Sequence, residues 1–111
     1  MNMRTFLAFW YRVAAKEKCA IAEFNLGFVY ADGLGASKDF SRALKWWLLA
    51  RADAPPGWPL RNRAHHWISV LQSQMTPAEI QRVHALAANE LAARQTRYPF
   101  KHSVILKHRL L

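Results

Sequence analysis

The chain has 111 residues, 52% hydrophobic and 13% aromatic, enough for one domain with a real core, which excludes both a multidomain enzyme and a disordered polymer. Sixteen Lys and Arg against seven Asp and Glu give a formal charge of +9, with the larger excess in the second half of the chain, a field that favours acidic partners. The lone cysteine, Cys19, excludes an intramolecular disulfide and a Cys-based zinc site. Gly and Pro are few and fall between long stretches rich in Ala, Leu, Arg and Trp, so the reading is all-α, with about five helices.

The first helical segment is expected over residues 3–15. Arg12 interrupts its apolar stretch after Tyr11, and no cleavage site of a secretory signal follows; no apolar run reaches the length needed to span a bilayer. A cytoplasmic location is therefore favoured. Ala20 to Ala31 carries apolar residues at Ala22, Phe24, Leu26, Phe28, Val29 and Tyr30, a stripe wide enough for a helix buried on more than one side. Gly33 suits the left-handed residue that ends many helices, and Gly35 makes the connector permissive.

The next helix has Ser37 as its expected N-cap and Asp39 in its first turn. Phe40, Ala43, Leu44 and Trp47 follow at i, i+3, i+4 and i+7. The prolines in Ala54-Pro55-Pro56-Gly57-Trp58-Pro59 forbid continuation. Leu60, Ala64, Trp67, Ile68, Leu71 and Met75 form another stripe. Thr76-Pro77-Ala78-Glu79 then starts a helix as a capping box with proline at the first helical position. Ile80, Val83, Ala87 and Leu91 mark its buried side, and it is expected to fray beyond about Ala93 or Arg94. Residues 95–111 form a basic tail with four Lys and Arg, two His and no acid.

Trp10-Tyr11 recurs as Trp46-Trp47, and Ala14 recurs as Ala50, a period of 36 that suits a two-helix repeat. Ala14-Ala15, Ala22, Phe24-Asn25-Leu26-Gly27, Tyr30, Gly33, Gly35, Asp39, Ala43 and Trp46 together resemble the Sel-1-like repeat, a relative of the tetratricopeptide repeat. The resemblance spans one full repeat, residues 15–50, and part of an earlier one, residues 3–15; residues 60–94 look like a terminal helical pair, making residues 1–94 one repeat domain. It implies a short right-handed α-solenoid in which Leu26, Tyr30 and Trp46 fill the space that small Gly27 and Ala43 leave between paired helices. It also implies a non-enzymatic scaffold or adaptor for another protein, with Glu23, Asn25 and Asp32 as the polar contact positions. The partial first repeat implies an open face there, whether the chain is a fragment of a longer array or another chain covers that face. So short a stack is expected either to self-associate through Phe6, Phe9 and Trp10 or to have low stability alone.

Candidates for chemistry are sparse. His65, His66, His84, His102 and His108 form no i, i+4 pair and lie near no Cys or carboxylate in sequence, so no metal is expected. No nucleophile motif or paired acid and base is present, so neither catalysis nor a cofactor is expected. The alternative function lies in the tail. Arg94, Arg97, Lys101, Lys107 and Arg109, interleaved with Tyr98, Phe100 and Val104-Ile105-Leu106, suit nucleic acid or an anionic membrane surface. An extension packed on the body, or a short element docked into a partner, remains equally open for this segment.

Overall fold

The computed structural model describes residues 2–16 and 19–97. Among these the chain forms five α-helices and no strand: α1 (Met3–Lys16), α2 (Ala20–Asp32), α3 (Phe40–Asp53), α4 (Pro59–Gln72) and α5 (Pro77–Arg97). The all-helical class and the helix count match the expectation from the sequence.

Local chemistry explains the boundaries. Asn2 caps α1, its Oδ1 accepting from the Thr5 amide at 2.9 Å. At the end of α2, Gly33 takes φ +70°, and the amides of Gly33 and Leu34 both donate to the Val29 carbonyl, so the helix stops without orphaning that acceptor. Asp39, rather than Ser37, is the N-cap of α3. Its carboxylate accepts from the Arg42 amide at 3.1 Å while its own amide donates to the Tyr30 carbonyl at 2.8 Å, docking the connector onto α2. Pro59 opens α4, and the Thr76 hydroxyl accepts from the Glu79 amide at 3.2 Å to start α5. The last helix runs three residues beyond Arg94, into the segment expected to be tail.

α2 and α3 make the tightest pair, and one residue explains it. Trp47 is 2% exposed and lies flat where Gly27 has no side chain; a Cβ at position 27 would run into the indole ring. The indole Nε1 donates to the Phe24 carbonyl at 3.0 Å, so its one polar atom is satisfied inside the core. Leu26 and Tyr30 are buried as expected, whereas Trp46 is only half-buried, with the Lys45 ammonium 4.6 Å from its ring centroid. Trp47 lies on the buried stripe as expected, but it also takes the space-filling part expected of Trp46, because position 47 and not 46 faces Gly27. Phe28 stacks edge-on against both Trp47 and Trp67, at 5.1 and 5.2 Å between centroids, and so links α2, α3 and α4. On α5, Val83 and Ala87 are buried and Ile80 and Leu91 half-buried, the face the sequence pattern marked.

Candidate functional site

Two features stand outside ordinary core packing. The first is a polar clasp at the far end of α5. Arg94 Nη1 donates to Asp53 Oδ2 at 2.7 Å, and Nη2 donates to Glu23 Oε2 at 3.2 Å and to Glu90 Oε1 at 3.3 Å. One guanidinium thus ties α5 to α2 and to the end of α3, using its several donors in a fixed fork. Lys45 adds a looser contact to Glu90 at 3.8 Å.

Glu23 is wholly buried, and its Oε1 has no hydrogen-bond partner. Burial, and then the neighbouring Asp53 carboxyl, push Glu23 up to about 9 against the opposing pull of Arg94, so it carries a proton at neutral pH. With Glu23 neutral, the Arg94 charge is balanced by Asp53, and Glu90 is shared with Lys45. Burial also works against the charge on Arg94, but Glu23 and then Asp53 outweigh it and raise the Arg94 pKa.

The clasp corrects two assignments made from sequence. Glu23 is no partner contact, because it is sealed beneath α5; Arg94 offers no cation to a phosphate or membrane, because it is 8% exposed and its donors are already engaged. The other expected partner-binding positions do not gather around Glu23 either. Asn25 is half-buried and faces a small hollow shared with Arg4, Leu7 and Tyr11, whereas Asp32 is exposed at the end of α2, beside Lys38 and Phe40. Arg97 is the last residue of α5; Lys101, Lys107 and Arg109 lie outside the described residues.

The second feature is the outer side of α1. Ala8 and Ala15 are buried and Tyr11 packs against the core, which fixes the inner stripe of this helix on α2. The opposite stripe is apolar as well. Phe6, Phe9, Trp10 and Val13, again at i, i+3, i+4 and i+7, are each 40–51% exposed, and Met3 at the start of the same side is 76% exposed. Trp10 meets Phe6 and Phe9 edge-on, at 6.1 and 5.8 Å between centroids, so the three rings form one exposed cluster. The outer side of α1 is thus a contiguous exposed apolar patch.

Among the described residues no group of His, Cys, Asp and Glu is placed to hold a metal ion, and no helix is long and apolar enough to cross a membrane. His65 and His66 are both exposed on α4. Comparison with family models, curated proteins and solved structures finds no match.

Proposed function

We propose that this protein is a non-enzymatic scaffold of the Sel-1-like repeat type, a short right-handed α-solenoid that meets another helical surface through the outer side of α1. The exposed stripe of Phe6, Phe9, Trp10 and Val13 carries this reading. A helix with apolar residues on both sides has one side left for a second partner, and stacked helical repeats bury such faces against the next unit. A second copy of the chain is the simplest occupant, because two such stripes are self-complementary.

Light scattering over a wide concentration range tests it on the full chain. The wild type is expected to self-associate, and the double substitution Phe6→Glu with Trp10→Glu to yield a monomer of unchanged helicity by circular dichroism. A wild type that remains a heat-stable monomer at every concentration refutes this use of α1.

A second reading rests on the charge of +9. Without Arg94, the cations left for nucleic acid or an anionic membrane are Arg97, Lys101, Lys107 and Arg109, and binding through them would weaken steeply with salt.

A further inference from the structure

α4 and α5 are joined by a tight turn yet do not pack along one another. Each lies instead on α3: α4 through Ala64, Ile68 and Leu71, and α5 through Val83 and Ala87. Near the turn, Gln72 Nε2 and His84 Nε2 are 2.7 Å apart; beyond that point the helices diverge. The space between them is an open trough of about 520 Å³ with α3 at its base.

Its floor is aliphatic, made by Leu48, Ala87 and Leu91, and its walls carry Arg51, Arg61, His65 and His84. Arg61 Nε donates to the Arg51 carbonyl at 3.3 Å, and Arg51 Nη1 lies 3.3 Å from His65 Nδ1, so the three residues are linked along one wall whose charge comes from the two guanidinium groups. Among the described residues no carboxylate lines the trough. The two nearest in sequence to its lining, Asp53 and Glu90, are drawn to Arg94.

We propose that this trough receives an acidic amphipathic helix of a partner protein, with aliphatic side chains on Leu48 and Leu91 and carboxylates on Arg51 and Arg61. Charge decides among the occupants. The chain's own residues 98–111 contain Lys101, Lys107 and Arg109 and no acid, so they are repelled from a cationic wall, and a second copy meeting it trough to trough would set the same arginines against each other. Among the described residues the lining has no aromatic ring on which a nucleobase would stack, which disfavours single-stranded nucleic acid. An open groove between two splayed helices, apolar at its base and charged at its rim, matches helix-in-groove recognition by a partner of opposite charge. The trough is separate from the outer stripe of α1, so the two readings stand or fall independently.

The test is fluorescence anisotropy on the full chain, with a labelled peptide of about three helical turns carrying Leu along one face and Glu on both flanks. Its counterpart with Lys for Glu, an all-Glu peptide without Leu, and an oligo(dT) strand serve as comparisons. The Leu/Glu peptide is expected to bind most tightly of the four. Arg51→Glu with Arg61→Glu should weaken it at least about tenfold, because like charges then face each other across the interface. Ala88→Trp, which occupies the trough without changing a charge, should weaken it comparably. Lys101→Ala, Lys107→Ala and Arg109→Ala combined should leave it unchanged.

The proposal fails if the wild type does not bind the Leu/Glu peptide, or binds the all-Glu peptide equally well. It also fails if binding survives both trough variants with helicity intact, or is lost in the tail variant. Tighter binding of oligo(dT) through the same arginines would reassign the trough to nucleic acid and overturn it as well.

Discussion

The α2–α3 hairpin and the α4–α5 pair are each two helices joined by a short connector, yet only the first closes on itself. In α2–α3 the fit is steric: Gly27 leaves a gap that the Trp47 indole fills, and the hydrogen bond to Phe24 fixes the ring's orientation. In α4–α5 no such interlock exists, and α5 is held at its far end by Arg94 reaching three carboxyl groups. The difference separates two ways of building a helical pair. Shape complementarity between neighbours makes a compact hairpin, whereas a long-range polar clasp lets two helices stand apart and leave a groove between them.

Substitutions at the key residue of each pair should separate the two mechanisms. Trp47→Ala empties the hairpin core and removes the side chain that packs against Gly27. A loss of about 3–5 kcal/mol is expected in urea unfolding, with the whole domain melting as one, since Trp47 also touches Phe28 and lies beside Trp67. Arg94→Met should cost about 3 kcal/mol, the low end for removing one partner of a buried ionic cluster, because Glu23 is already uncharged. Its mark is regional: hydrogen exchange should accelerate along the second half of α5 and leave α2–α3 protected. Equal loosening of both pairs would show that the clasp also supports the hairpin.

The smallest effect is expected for Glu23→Gln near pH 4.5, where this neutral isostere matches the protonated acid; the variant should become the more stable of the two as pH rises. Folded Glu23 holds its proton up to about 9, whereas the unfolded chain releases it near the ordinary 4.5. The folded state therefore binds the extra proton between those values, and the stability linked to it is complete below the lower one, falls as pH rises and is gone above the upper one. Urea midpoints of the wild type should decline across that window, and those of Glu23→Gln should decline less. Parallel slopes would mean that Glu23 is ionised in the fold.

Features encoded within one or two helical turns were readable from sequence. The Phe40, Ala43, Leu44 and Trp47 stripe, the Thr76-Pro77 start and the Gly33 stop depend on neighbours a few residues away, and all three are present. The choice of cap was less readable, because Ser37 and Asp39 are both good caps and only the docking of the Asp39 amide on Tyr30 selects between them. The clasp was not readable at all. Glu23 and Arg94 are 71 residues apart, and an isolated carboxylate or a run of cations in a sequence ordinarily signals solvent. Asn25 and Asp32 were grouped with Glu23 by their place in one helix, but a helix distributes residues around its axis, and these three end in different surroundings. The outer stripe of α1 left a usable trace, since Phe6, Phe9, Trp10 and Val13 keep helical spacing beside the inner Ala8, Tyr11 and Ala15. The trough left none, because it arises from the divergence of α4 and α5 and not from any spacing within them.

Gly35, in the connector between α2 and α3, lies directly under the first turn of α1, where a Cβ would meet the backbone of Arg4 and Thr5. That contact works as a fulcrum. α1 has 14 residues and is about 21 Å long, so a tilt of about 10° about its first turn would swing its far end by nearly 4 Å. The missing Cβ of one loop residue thereby lets α1 carry its aromatic stripe at the angle observed.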